Sequence, residues 1–233
     1  MRRKVWLSAI VTALLGFALA ALFLGMGQKT AKPRSVVSVY SDSLGYEVGP
    51  NLDAILSPKV SSLKLYSFPG TAMCYWSPTM AKDAARRHPS VVVMEFAGTP
   101  FSACAQGAPW GSAAFFAEVK RVAVADARVF LHAGASHVAF VSIPVSLGGA
   151  TQANRINKRL MSIYHEVVRE LGPRAYFIEA ARAVETPSGK FTWKLPCLLS
   201  EVAAHPSLCT GGTVGRTPVN VVRQADGAHF CLS

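Results

Sequence analysis

Val36-Val37-Ser38-Val39-Tyr40-Ser41-Asp42-Ser43-Leu44-Gly45 is the stretch on which the reading of this chain turns. Its apolar residues (Val36, Val37, Val39, Tyr40) predict a buried strand over 35–40, and the polar residues after it predict a sharp turn into a helix. That turn carries a hydroxyl, Ser43. At the other end of the chain, Val222-Arg223-Gln224-Ala225-Asp226-Gly227-Ala228-His229-Phe230-Cys231 sets an Asp three residues before a His. A serine becomes a nucleophile when a base takes its proton, and a His does this best when a carboxylate fixes its tautomer and orientation. Each residue also has an ordinary reading. A serine after a strand is commonly a helix cap, Asp-Gly is ordinary turn chemistry, and a loop His commonly bonds a carbonyl.

Outward from the first strand, apolar runs and helical periodicities alternate. A helix is expected over 47–56, with Gly49-Pro50 at its start. A second strand is expected over 63–68, ending at Pro69-Gly70. Ser77-Pro78 reads as an N-cap and first helical residue, opening a helix to about Arg87. The continuous apolar run 90–96 suits a strand buried on both faces. A long helix begins at Trp110 or Ser112, with Phe116, Val119, Ala123, Ala127, Phe130 and Leu131 recurring at helical spacing up to Gly134. A strand over 137–145, a helix over 151–171 closed by Gly172-Pro173, and a short strand over 176–178 follow. The stretch 187–218, rich in Gly, Pro, Ser and Thr, reads as irregular. Strand–helix alternation predicts a parallel sheet with helices on both faces. Ligands of such sheets bind beyond the carboxyl ends of strands, where Ser43, Gly70 and Thr99 all fall.

Four blocks in this order resemble the SGNH, or GDSL-type, hydrolase family, in its actinobacterial extracytoplasmic branch. Ser41-Asp42-Ser43-Leu44 matches three of the four Gly-Asp-Ser-Leu positions, and Asp226-Gly227-Ala228-His229 matches the Asp-x-x-His block. Pro69-Gly70-Thr71-Ala72-Met73-Cys74 stands where that branch carries its oxyanion-hole glycine. Val91 to Thr99 stands where it carries strand-Gly-Asn. The resemblance covers about 36–231. It implies a three-layer α/β/α sandwich with a central parallel sheet (the flavodoxin-like SGNH fold), Ser43, Asp226 and His229 as the catalytic residues, and Ser43, Gly70 and Thr99 as the oxyanion hole. The departure is Thr99, where the family's Asn donates a side-chain N–H to the oxyanion. Loss of such a donor typically costs about 10²–10³ in rate. The resemblance also implies a closing helix after the His block, whereas four residues follow His229. Asp42, beside the nucleophile, is read as the cap of its turn.

Arg2-Arg3-Lys4 precedes an apolar run from Val5 to Met26, long enough for a membrane span. We read 1–28 as a signal anchor with the rest exported, 29–34 as a linker and 35–233 as one hydrolase-like domain. Ala18-Leu19-Ala20 offers the alternative of a cleaved signal peptide. The formal net charge is +11, with 24 basic and 13 acidic residues. Six of the basic residues precede residue 35, and the remainder forms no Lys/Arg stripe, which argues against nucleic acid as a partner.

The five cysteines suit an oxidising compartment. Cys74 follows the second block and Cys104 the third, so these two are expected to pair; Cys197, Cys209 and Cys231 leave one more bridge and an odd thiol. No His spacing suits a metal with these cysteines, and neither metal nor cofactor is expected. Trp76, Trp110 and Trp193 read either as packing anchors or as walls of a sugar subsite. The function implied is an envelope-facing serine esterase or O-acyltransferase acting on acyl esters of glycans or lipids. The alternative is a catalytically impaired binding or assembly protein of the envelope.

Overall fold

A computed structural model describes residues 35–148, 151–197 and 211–230. The anchor and linker expected over 1–34 lie outside the described residues. Among the described residues, no helix is long and apolar enough to cross a membrane. Two compact units are formed: residues 35–143 with 151–179, and residues 144–148 with 180–197 and 211–230.

The larger unit is a five-stranded parallel sheet. Its strands are β1 (Val36–Ser41), β2 (Ser62–Ser67), β3 (Val91–Glu95), β4 (His137–Val141) and β5 (Ala175–Ile178), in the order β2-β1-β3-β4-β5. This is a doubly wound order, with the switch point at β1. Four helices connect the strands: α1 (Ser43–Leu56), α2 (Met73–Arg87), α3 (Ala113–His132) and α4 (Gln152–Leu171). The chain moves one way from β1 to β2 and the other way thereafter. Right-handed crossovers therefore put α1 on one face and α2, α3 and α4 on the opposite face. Burial follows the apolar runs: all five residues of β3 are buried, as are Val138, Ala139 and Phe140 of β4.

Predicted boundaries hold where a local cap sets them. Ser112 Oγ accepts the Phe115 amide and Thr151 Oγ1 accepts the Asn154 amide, opening α3 and α4 where the sequence suggested. Two starts differ. Helix α1 opens at Ser43, four residues before the expected start, and Pro50 lies inside it. Asp42 decides this, because its Oδ1 accepts the Leu44 amide and satisfies one of the orphan donors of the first turn. Helix α2 opens at Met73, with Ser77 and Pro78 inside it. Ser77 Oγ turns away from the backbone and donates to Asp126 Oδ2 on α3 (2.8 Å). The first turn of α2 is held instead from a distance: Ser102 Oγ accepts the Ala72 amide (2.7 Å), and Cys74 is bonded to Cys104.

Behind β1, a buried polar cluster ties the strand to α2. Asp83 accepts from Ser38 Oγ (2.6 Å), Tyr40 OH (2.8 Å), Tyr66 OH (3.0 Å) and Arg87 (3.2 Å). The Tyr40 and Tyr66 rings stack at 4.7 Å. With every oxygen of a buried carboxylate engaged, desolvation is offset and the strand that leads to Ser43 is fixed in register.

In the smaller unit the stretch expected to be irregular contains a three-stranded antiparallel sheet. Strands β6 (Lys194–Pro196), β7 (Thr213–Val214) and β8 (Thr217–Val221) lie in the order β6-β8-β7. These strands have two to five residues, too short for an alternation pattern to register in sequence.

Candidate active site

Ser43 is the first residue of α1, two residues beyond the end of β1, and is half-buried. The positive end of a helix macrodipole thus lies at the hydroxyl and favours negative charge developing there. The turn is built by close packing. A Cβ on Gly45 would stand 2.1 Å from Ser41 Oγ, so only glycine lets the helix leave the strand this tightly.

The three turns expected to build an oxyanion hole are joined to one another. Strand pairing sets Ser41 opposite Ser67 on one side and Glu95 on the other, so the turns carrying Ser43, Gly70 and Thr99 follow adjacent strand ends. The Asp42 amide donates to Glu95 O (3.3 Å), and Asp42 Oδ2 accepts the Ala97 amide (2.7 Å), binding the first turn to the third. Ser102 Oγ and the Cys74–Cys104 disulfide (Cα–Cα 6.1 Å) bind the second to the third. The expected pairing of those two cysteines is therefore observed. Cys197 is also disulfide-bonded, while Cys209 and Cys231 lie outside the described residues. Gly70 has φ +75°. Thr99 Oγ1 accepts the Phe101 amide at 3.3 Å, and a hydroxyl that accepts still has its proton to give. Trp110 Nε1 donates to Gly98 O (2.9 Å) and Trp76 Nε1 to Thr71 Oγ1 (3.0 Å); both rings serve as anchors of these turns.

Glu95 was not singled out in the sequence, although a carboxylate ending the run Val-Val-Val-Met is a signal. It is buried at the foot of the Ser43 turn, Oε2 lying 3.5 Å from where a Gly45 Cβ would stand. Burial, and then the charge of Asp42 beside it, pushes its carboxyl well above the usual range. Asp42 beside it holds two backbone amides, and Glu95 lies beneath the turn.

Asp226 and His229 lie in the smaller unit, on a turn closed by the Arg223–Phe230 bridge. The His229 Nδ1–H donates to Asp226 Oδ2 (2.5 Å), and Asp226 Oδ1 accepts the amides of Ala228 (2.9 Å) and His229 (3.0 Å). The ring's hydrogen bond, helped by the Ala228 amide, holds the Asp226 carboxyl down at about 2. A carboxylate ionised at neutral pH accepts only, so Nδ1 carries the proton and Nε2 is the basic nitrogen of the neutral ring. Gly227, with φ +68°, makes the turn possible: a Cβ there would meet Leu147 Cβ at 2.3 Å. Arg223, buried and missed as a functional residue, donates to Ala228 O (2.8 Å) and Val145 O (3.3 Å) beneath a Phe230 ring 4.6 Å away. It buttresses the loop that presents His229.

No protein-family model and no curated protein matches the chain. Solved structures are similar to it at low identity. The crystal structure of TesA is 16% identical with a TM-score of 0.49, over 85% of this chain and 90% of that one. A lipase/acylhydrolase from Enterococcus faecalis is 15% identical with a TM-score of 0.48, over 84% and 87%. The C-terminal catalytic domain of Streptococcus pneumoniae peptidoglycan O-acetyltransferase A is 11% identical with a TM-score of 0.42, over 62% and 69%.

Proposed function

We propose that the chain is an extracytoplasmic serine esterase or O-acyltransferase of the SGNH type, acting on acyl esters of envelope glycans or lipids. The observation that carries the reading is the Asp226–His229 pair. A carboxylate fixed by two amides holds Nδ1 protonated, the arrangement a catalytic base requires. In this mechanism Ser43 Oγ attacks the ester carbonyl while His229 Nε2 takes its proton. The amides of Ser43 and Gly70, with the Thr99 hydroxyl, stabilise the oxyanion. Collapse expels the alcohol, which receives the proton from His229, and leaves an acyl group on Ser43. Water or a sugar hydroxyl then gives up a proton to His229 and takes the acyl group, and His229 returns that proton to the departing Ser43 Oγ.

Export is supported by the basic residues before the apolar run and by the disulfide-bonded cysteines. We assign 1–28 as the anchor on that basis. Protease added to intact cells should digest the domain, and protection would defeat this topology.

The deciding experiment is reaction with a fluorophosphonate probe and hydrolysis of a short-chain acyl ester. Wild type should be labelled and active, and Ser43→Ala should be neither. If wild type and Thr99→Asn are both inert towards probe and ester, the hydrolase reading falls. The catalytically impaired binding protein, which the Thr99 departure motivates, then replaces it.

A further inference from the structure

A cavity of about 360 Å³ opens in the larger unit between the start of α2, the loop after β3 and the first turns of α3. Met73, Phe96, Phe115 and Val122 supply its walls, and the Cys74–Cys104 bridge forms part of its lining. Its polar side chains are largely committed elsewhere. Tyr164 OH donates to Phe96 O (3.0 Å), and the Glu118 carboxylate accepts both ends of the Arg121 guanidinium (2.8 and 2.6 Å). The remaining one is Thr99, on the turn assigned to the oxyanion. A sugar ring would find only Thr99 and the Arg121-bound Glu118 carboxylate as side-chain partners, and each hydroxyl buried without one costs roughly 1–3 kcal/mol. A hydrocarbon chain would bury none.

We infer that this cavity takes the acyl chain of the substrate, a medium-length chain of about six to ten carbons rather than an acetyl group. The inference rests on the acyl-enzyme reading above and names the substrate class of that site. At roughly 30 Å³ per carbon, about a water's share of liquid volume, eight carbons take roughly 240 Å³. That occupies about two-thirds of the cavity, with the chain's carbonyl end at Thr99. An acetyl group would leave most of it empty.

The test is the chain-length profile of p-nitrophenyl esters from acetate to dodecanoate, on the intact protein. kcat/KM should rise about three- to fourfold per methylene up to eight or ten carbons and then fall. Val119→Trp, which puts an indole into the cavity from α3, should lower the octanoate-to-acetate ratio at least tenfold. Ala108→Phe, in the loop before α3, should act likewise if the first variant does not fold. A flat or falling profile in a protein that reacts with the fluorophosphonate probe overturns the inference and leaves the hydrolase reading intact. If the protein hydrolyses no ester and ignores the probe, binding of a fluorescent fatty acid displaced by octanoate decides. Displaceable binding weakened by Val119→Trp sustains the cavity assignment, and its absence overturns it.

Discussion

Asp42→Ala is the substitution that most directly tests how the Ser43 turn is built. Asp42 is buried and holds two amides, Leu44 through Oδ1 (3.0 Å) and Ala97 through Oδ2 (2.7 Å). Removing an N-cap costs about 1 kcal/mol. The Ala97 amide, left without its acceptor, adds about 1–3 kcal/mol. The sum, roughly 2–4 kcal/mol, corresponds to a fall in Tm of about 5–15 °C for a protein of this size. Asp42→Asn gives the intermediate case. Its single carbonyl oxygen can serve one amide, while its NH2 faces the other donor, so about half the loss is expected. Scanning calorimetry at neutral pH on all three proteins reads the series. Because the same carboxylate ties the Ser43 turn to the loop of Thr99, kcat should fall with Tm in that order. An Asp42→Ala protein melting within about 2 °C of wild type would refute the claim that this carboxylate joins the two turns.

If Thr99 supplies a weak oxyanion donor, Thr99→Asn should raise kcat by at most about two orders of magnitude with little change in KM, and Thr99→Val should lower it. Equal rates in all three would exclude the side chain from the reaction. Glu95 binds its proton more tightly folded than unfolded, so its contribution is complete below the ordinary Glu range and is lost as pH rises towards its folded value. Glu95→Gln should therefore gain in Tm relative to wild type as pH increases from 4, and a pH-independent difference would contradict this. Burial raises Asp126 to about 6 from 3.8, with the Ser77 hydrogen bond opposing. By the same sign, about 3 kcal/mol of stability is lost between pH 4 and 6, and Asp126→Asn should flatten that part of the stability profile. Replacing Cys74 and Cys104 together by Ala opens a loop with a sequence separation of 30 and should cost about 3–4 kcal/mol in denaturant unfolding; an unchanged midpoint would argue against the bridge.

The elements of the sheet were legible because their signals are local. A strand buried on both faces needs an apolar run, as in Val91-Val92-Val93-Met94, and a helix packed on one side needs a 3.6-residue stripe, as from Ile156 to Val167. Caps are equally local: Thr151 and Asp42 bond amides two or three residues away, so their side chains mark α4 and the Ser43 turn within the sequence. The Asp226–His229 contact was legible for the same reason, since the two residues meet within one turn. What the tertiary structure decided involves partners far apart in the chain. The start of α2 depends on Ser102 and Cys104, some thirty residues on, and outvotes the Ser77-Pro78 cap. Burial against Asp42 pushes the Glu95 carboxyl up, and Arg223 finds Val145 across seventy-eight positions. Strands β6 and β8 recognise each other across 23 to 27 positions, with too few residues for either to carry a pattern. Local interactions act at a sequence spacing the backbone geometry dictates, so they leave a periodic mark. Desolvation, buried charge and cross-chain hydrogen bonds act at a distance set only after the chain has folded, and the linear order of residues carries no record of it.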